Sequence, residues 1–254
     1  MINTGRQSDV VRKVRLKQNE QTVKGKGFLY IPKHKLVYAR IPKCANTSIK
    51  TFLSELVKTS AAKNPRTARN LEPTNDRFWK LCTTEAMFLK PDRYTAIRKK
   101  VFTFTFIREP LQRLLSCYRE KILRPSIFPA MQRLGYTKAM TFSEFVELTC
   151  ELSLDSMDVH TQPQTFLISD SKGRLPDYIG CLENLKTDWE RLSELMEQRG
   201  IPFSQQLPHL NRSQALQTDQ PEPGRLPDRV RHQFELTYGH DIQLYQKLIA
   251  AQLP

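Results

Sequence analysis

Short apolar runs and longer stretches with helical apolar spacing alternate along the chain. Runs rich in aromatic and β-branched residues predict strands, and they cover residues 28–31, 36–41, 101–107 and 178–182. Apolar residues that recur every three or four positions predict helices, and they cover 49–56, 111–122, 141–150 and 184–199, with about two helices over 228–251. Strands that alternate with helices predict an α/β domain of three layers, in which helices flank a mainly parallel central sheet.

Polar segments separate these elements. Residues 59–78 and 204–227 are punctuated by prolines and predict long loops. Residues 1–26 carry seven basic and two acidic residues, which is typical of an exposed, flexible arm. A basic amphipathic arm, with apolar residues between the charges, is the alternative. The rest of the chain, residues 27–254, is predicted to form a single domain.

The amino-acid composition of the chain limits the classes of protein to which it can belong. A chain of 254 residues with 39% hydrophobic content is typical of one globular domain and excludes a wholly disordered chain. The formal net charge of +14 predicts a surface that attracts anions. Five cysteines without a CxxC pair, and histidines without ligand spacing, favour neither a disulfide framework nor a zinc site. No metal is therefore predicted.

Localisation is predicted from the apolar runs. None approaches the roughly 18 apolar residues of a membrane helix, and the first residues lack the apolar core of a secretory signal. These observations predict a soluble, cytoplasmic protein. The Golgi lumen is expected only if the sequence is part of a longer chain.

The first candidate anion site lies between the strand at 36–41 and the helix that follows. The first turn of a helix has unpaired N–H groups and a positive dipole end. Asn46 or Thr47 can cap this helix, Thr47 and Ser48 add hydroxyl donors, and Lys43 adds a positive charge. An ordinary capped helix with a solvated lysine is the alternative. The GxxxxGK[ST] pattern of Mg-nucleotide enzymes is absent.

The second candidate site follows the strand at 101–107. Arg108 can fork onto a phosphate, and Ser116, eight residues later in a predicted helix, can donate its hydroxyl. The alternative is a structural ion pair between Arg108 and Glu109 or Glu120.

Together the two segments, Pro42–Ser48 and Phe104–Lys121, closely resemble the sulfotransferases that use 3'-phosphoadenosine 5'-phosphosulfate (PAPS). The nearest group resembles the carbohydrate sulfotransferases that act on chondroitin, dermatan and related glycans. Three further segments agree, and the likeness covers about residues 28–250. They are Met157–Gln164, Tyr178–Leu185, and Leu207–Ser213 with the later Tyr238, Asp241 and Tyr245.

The resemblance implies a P-loop-like α/β fold, PAPS as co-substrate, 3'-phosphoadenosine 5'-phosphate (PAP) as product, and no metal. It implies that one loop holds the 5'-phosphosulfate, with its lysine at the bridging oxygen: Lys43, Cys44, Ala45, Asn46, Thr47 and Ser48. Arg108 and Ser116 would hold the 3'-phosphate. A late segment would close over the nucleotide: Asn211, Arg212 and Ser213. The acceptor would be a hydroxyl of a carbohydrate or glycoconjugate, reached by in-line displacement.

The acceptor hydroxyl also needs a base, and two residues are candidates. Some relatives place a histidine between the two motifs, but this chain has none between His34 and His160. Glu85 lies in that interval, and a carboxylate in a desolvated cleft has a raised pKa. His160 has a pKa suited to proton transfer. A solvated helix glutamate and a buried structural histidine are the respective alternatives.

One function from another class remains open. The excess of basic residues and aromatics such as Trp79 are also typical of a non-catalytic protein that binds polyanions or nucleic acid. An enzyme for an anionic donor accounts for the same charge, so nucleic acid is the less favoured partner. A small-molecule kinase is disfavoured by the missing lysine-hydroxyl pair.

Overall fold

The computed structural model describes residues 27–57, 72–82, 85–203 and 225–251. The predicted arm at 1–26 and most of the loop at 204–227 lie outside these residues. Five strands form one sheet: β1 Phe28–Ile31, β2 Leu36–Ala39, β3 Met87–Leu89, β4 Phe102–Ile107 and β5 Tyr178–Cys181. The α-helices of the described residues are α1 Asn46–Glu55, α2 Asp76–Leu81, α3 Pro91–Ile97, α4 Pro110–Lys121, α5 Pro129–Arg133, α6 Phe142–Glu151, α7 Gln164–Ile168, α8 Leu185–Glu197 and α9 Asp228–Ala250.

The strand order in the sheet is β3-β1-β2-β4-β5. Strand β1 is antiparallel to β2 and β3, whereas β2, β4 and β5 run parallel to one another. The predicted α/β class, with helices flanking a central sheet, is confirmed. The parallel strands include β2 and β4, which precede the two candidate anion loops.

The first face of the sheet is aromatic and lies under helices α1 and α8. Strand residues with period-two spacing point to this face. Tyr38 stacks on Phe104 with ring centroids 5.2 Å apart, and Phe106 lies 5.9 Å from Trp189 of α8. Phe52 of α1 meets the same tryptophan edge-on at 5.1 Å. This packing fixes the position of α1, whose N-terminus follows the first loop.

The opposite face packs on α3, α7 and the last turns of α9. Its buried core includes the alternate strand residues and their helix partners: Val37, Ala39, Ile107, Cys181, Tyr94, Phe166 and Ile168. A separate buried cluster joins α4, α5, α6 and α9 beside the sheet. Helices therefore cover both faces, as a three-layer domain requires.

Two sequence predictions about helices are corrected by the structure. The predicted loop at 59–78 ends earlier, because Asn75 caps α2 by accepting a hydrogen bond from the Arg77 N–H at 2.9 Å. The segment predicted as two helices over 228–251 is instead one helix of 23 residues, α9, which ends at Ala250. Gly239 lies inside it, but the helix packs against α4, α6 and α7, and such packing outweighs the weak helix propensity of one glycine. No helix in the described ranges is both long and apolar enough to span a bilayer.

Gly180 is required by close packing between β4 and β5. It pairs with Phe106, and a Cβ at this position would lie 2.5 Å from the Phe106 ring. We expect Gly180→Ala to lower the free energy of unfolding by about 1–3 kcal/mol in urea denaturation. The matched control is Gly239→Ala, where a Cβ meets nothing within 4 Å and the helix gains about 0.5–1 kcal/mol. Equal stabilities of the two variants would contradict this packing account.

Candidate active site

The two candidate anion loops lie at one edge of the sheet. Strand β2 ends at Ala39 and its loop leads into α1 at Asn46, whereas β4 ends at Ile107 and leads into α4 at Pro110. Because β2 and β4 are parallel neighbours, both loops emerge at the carboxyl ends of the strands. This edge is where open α/β sheets bind ligands.

The loop after β2 is held in an uncommon backbone conformation. Lys43 and Ala45 have φ values of 72° and 51° although neither is glycine, and such left-handed residues cost about 1–2 kcal/mol each. The N-cap of α1 is Ala45, which has no capping side chain, so the predicted caps Asn46 and Thr47 are wrong. The N-terminus of α1 therefore faces the loop without a capping side chain at its N-cap position.

Arg113 of α4 ties this loop to a distant segment. Its side chain is fully buried, and its Nε donates to the Pro42 carbonyl at 3.0 Å. Its Nη1 and Nη2 donate to the carbonyls of Gln162 and Val159 at 2.8 and 3.2 Å. One guanidinium therefore places the residue before Lys43 beside the segment that contains His160.

Gln164 joins the two loops to each other. Its Oε1 accepts from the Arg108 N–H at 2.9 Å and from Cys44 Sγ at 3.2 Å, and its Nε2 donates to the Arg108 carbonyl at 2.8 Å. Burial raises the pKa of Cys44 to about 12, so its thiol stays protonated and serves as a donor. The side-chain amide of Gln164 thus fixes the two loops relative to each other.

Helix α9 holds the backbone of Gln164 in place. The buried carboxylate of Asp241 accepts from the N–H groups of Gln164 and Thr165 at 2.6 and 2.8 Å, so it binds the N-terminal end of α7. Burial raises the pKa of Asp241, although its hydrogen bonds oppose that shift. Tyr238, one turn earlier, donates its hydroxyl to the Thr161 carbonyl. Helix α9 therefore orders the segment at 159–165.

Lys43 is engaged by an acidic residue of α4. Its Nζ pairs with Glu120 Oε2, and Glu120 Oε1 lies 3.0 Å from Lys121 Nζ. Burial would raise the pKa of Glu120, but the hydrogen bonds and charges of Lys43 and Lys121 lower it to about 2. Glu120 is therefore an anion at every physiological pH, and Lys43 is held at the loop by a charge that an incoming anion would have to replace.

This pairing predicts a pH dependence of stability. The pKa of Glu120 falls from 4.5 to about 2 on folding. The contribution of its ion pairs to the free energy of unfolding is therefore complete above pH 4.5 and is lost as the pH falls toward 2. We expect Glu120→Gln to lose less stability than the wild type between these values in urea denaturation. Glu235→Gln, at an exposed site of α9, serves as control. If the free energy of unfolding of Glu120→Gln fell with pH as steeply as that of the wild type, this would contradict the pairing.

His160 is oriented by Asp158. The His160 Nδ1 lies 2.6 Å from Asp158 Oδ1, and the His160 N–H donates to the same oxygen at 2.9 Å. Burial would raise the pKa of Asp158, but these hydrogen bonds lower it, aided by the charges of His160 and Lys121. When Nδ1 donates to Asp158, the lone pair lies on Nε2. A carboxylate that orients an imidazole in this way is typical of a general base.

Arg108 has no carboxylate partner within the described residues. The sequence alternative, an ion pair with Glu109 or Glu120, is not formed. Glu109 caps α4 by accepting from the N–H groups of Leu111 and Gln112 at 3.1 and 2.6 Å, and Glu120 pairs with lysines. The half-buried Arg108 guanidinium is therefore available for an anion. Ser116 lies one turn before Glu120, on the side of α4 that faces Lys43.

The structure does not bring Glu85 to this edge. Met87 of β3 pairs with Tyr30, which pairs with Val37 near the start of β2. Glu85, two residues before Met87, therefore lies at the amino edge of the sheet, away from Lys43. The predicted closing segment, Asn211, Arg212 and Ser213, lies outside the described residues. Among those described, no group of three or more His, Cys, Asp and Glu residues could hold a metal ion.

The sequence alone indicates no role for Arg113 or Gln164, and it offers Glu120 only as a partner of Arg108, whereas the structure pairs it with Lys43. The sequence holds one signal for Arg113: a charged residue stands directly before the apolar pair Leu114 and Leu115 of α4. Gln164 was part of a resembling segment, but nothing in its spacing indicates a bridge to Cys44 120 residues away.

Comparisons with known proteins agree with this geometry. A model of the Sulfotransferase family matches residues 26–247, which include both loops. Carbohydrate sulfotransferase 14 of Danio rerio is 26% identical over 184 residues, which cover 66% of this chain and 47% of that protein. The chain thus spans about half the length of this curated relative. No solved structure matches the chain.

Proposed function

Because the chain belongs to the Sulfotransferase family, we propose that it transfers a sulfuryl group from PAPS to a hydroxyl of a carbohydrate or glycoconjugate. The observation that carries this proposal is the meeting of the two candidate anion loops at the carboxyl ends of β2 and β4. Each loop contributes a cation, Lys43 or Arg108, and Gln164 holds the two loops in register.

The residues at this edge fit a donor that carries two separate anionic groups. Lys43 and the first turn of α1 form one cationic end, and Arg108 with Ser116 forms the other. PAPS has a 5'-phosphosulfate and a 3'-phosphate, so its charges match two sites rather than one. Thr47 and Ser48 lie in the first turn of α1 and add hydroxyls to the backbone N–H groups and helix dipole, which favour an anion there.

The donor would supply a sulfuryl group on a phosphate that leaves as an anion. Sulfuryl transfer, like phosphoryl transfer, depends mainly on alignment and on stabilising charge at the leaving oxygen. Lys43 supplies that positive charge. In-line transfer breaks the bond from sulfur to the leaving phosphate oxygen and forms a bond from sulfur to the acceptor oxygen. His160 takes the acceptor proton at Nε2, while Asp158 holds Nδ1.

The assignment of the base predicts different outcomes for two variants. We expect His160→Ala to lower kcat by roughly 10²–10⁴-fold, the usual contribution of a general base. Glu85→Gln should stay within about threefold of wild type, because Glu85 lies at the amino edge of the sheet. Initial rates at saturating donor and acceptor test both. A larger loss in Glu85→Gln than in His160→Ala would reverse the assignment.

The donor is tested by calorimetric titration with PAP. We expect micromolar affinity that does not require magnesium and that is lost when adenosine 5'-phosphate, without the 3'-phosphate, replaces PAP. ATP with magnesium is the parallel titration. A folded protein that fails to bind PAP, or that prefers magnesium-ATP, would overturn the proposal. Transfer of radiolabelled sulfate from PAPS to a panel of glycans then identifies the acceptor.

A further inference from the structure

A second basic cavity lies at the opposite edge of the sheet from the two loops. It has a volume of about 610 Å³ and is bordered by the starts of β2, β4 and β5. Strand β4 has six residues, so at about 3.3 Å per residue the cavity lies roughly 20 Å from Arg108. No step proposed above uses this cavity.

Cationic side chains dominate the lining of the cavity. They are Lys35, Arg98, Lys99, Lys100 and Arg199. His34 also lines the cavity, but burial and the charge of Lys33 lower its pKa, so its imidazole is neutral at pH 7. One carboxylate, Asp177, is among the lining residues, and Arg98 already binds it at 2.7 Å. Within the described ranges, Lys35, Lys99 and Lys100 form no ion pair. Like charges at such short spacing repel one another unless an anion lies between them.

Arg98 gives the cavity a rigid wall. Besides its ion pair, its Nη2 donates to the Leu175 carbonyl at 3.0 Å. Its Nε is buried and has no hydrogen-bond partner, although buried donors in native structures usually have one. Arg98 thus contributes an ordered guanidinium to the wall of the cavity.

The residue types that line the cavity favour anionic groups over nucleobases as ligands. Nucleobases bind single-strand sites by stacking on exposed aromatic faces. The one aromatic residue of the lining is Phe102, and the Arg199 guanidinium already covers its ring at 4.1 Å. A ligand with several sulfate or carboxylate groups on one chain would meet the lysines without needing a stacking platform.

We propose that this cavity is a second, non-catalytic binding site for an acidic oligosaccharide that carries sulfate or carboxylate groups. The class of ligand, an oligosaccharide, rests on the proposed function, whereas its anionic character rests on the lining alone. An acidic glycan held here would raise the local concentration of acceptor near the enzyme, as a second binding module does.

The test is a calorimetric titration without donor, in about 0.1 M salt, with a fully sulfated heparin-derived hexasaccharide. We expect Lys99→Ala/Lys100→Ala to weaken binding at least tenfold and Arg199→Ala at least threefold. The matched control is Lys138→Ala/Lys247→Ala, which removes two exposed charges elsewhere and should change binding less than twofold. PAP affinity should be unchanged in all variants, so failure here is distinguishable from failure of the proposed function.

Three outcomes would overturn the proposal. Equal weakening by the control pair would show that only overall charge attracts the hexasaccharide. Absence of binding by the wild type would exclude the site. A single-stranded oligonucleotide that binds more tightly than the hexasaccharide, with the same dependence on Lys99 and Lys100, would assign the cavity to nucleic acid instead. An unsulfated hexasaccharide should not bind in any variant.

Discussion

Replacing Lys43 by alanine is expected to lower turnover at least about a hundredfold, as the loss of a charge that stabilises the transition state should. Arg108→Ala is expected to lower kcat/KM by a similar factor. The reasons differ. In the proposed mechanism Lys43 acts at the oxygen that gains charge, so the loss should fall on kcat. Arg108 is proposed to anchor the other end of the donor, so its loss is expected also to weaken PAP binding. Steady-state kinetics with varied PAPS, beside PAP calorimetry, separates the two effects.

Stability must be unchanged for these losses to be read as catalytic. Lys172→Ala removes one exposed charge outside both loops and serves as the control for Lys43→Ala and Arg108→Ala. Urea denaturation of each variant checks that the fold persists. Near-normal rates in folded Lys43→Ala and Arg108→Ala proteins would refute the assignment of both loops.

Arg113→Ala is expected to have the largest effect on stability, about 3 kcal/mol or more of the free energy of unfolding. The change leaves the carbonyls of Pro42, Gln162 and Val159 without their donor, and each buried unsatisfied acceptor costs about 1–3 kcal/mol. It also leaves a cavity where a large side chain was fully buried. Urea denaturation followed by circular dichroism measures the loss.

Two further variants separate geometry from charge at this position. Arg113→Lys keeps the positive charge but cannot donate in three directions, so it should recover only a minor part of the stability. Arg133→Ala, at an exposed arginine of α5, should stay within about 0.5 kcal/mol of wild type. An Arg113→Lys variant as stable as wild type would show that charge, and not the three hydrogen bonds, matters.

Much of the fold could be predicted from local pattern. Runs such as Phe28–Ile31 and Phe102–Ile107 are strands because their side chains are buried on the faces of the sheet, and burial leaves a visible apolar pattern. The same holds for α4, where Pro110 begins the helix and apolar residues recur on one face. Both loops could be placed because strand and helix flank them on either side.

The parts that could not be predicted depend on contacts between distant residues. Arg113 meets carbonyls 46 to 71 residues away, and carbonyls have no sequence signature. The left-handed turn at Ala45 has no glycine to indicate it. The continuity of α9 through Gly239 is set by neighbouring helices rather than by local propensity. The position of Glu85 depends on the direction in which β3 runs beside β1, and spacing alone does not carry that information.

The contact between Asp241 and the N-terminal end of α7 has a consequence for biosynthesis. Asp241 lies 77 residues after Gln164 in sequence. A chain emerging from the ribosome has therefore made β1, β2 and both loops long before it makes Asp241. Contacts of such long range form late and slow folding. A nascent chain would therefore hold an unfinished pocket until α9 docks, and competence for chemistry would have to wait for the synthesis of that helix.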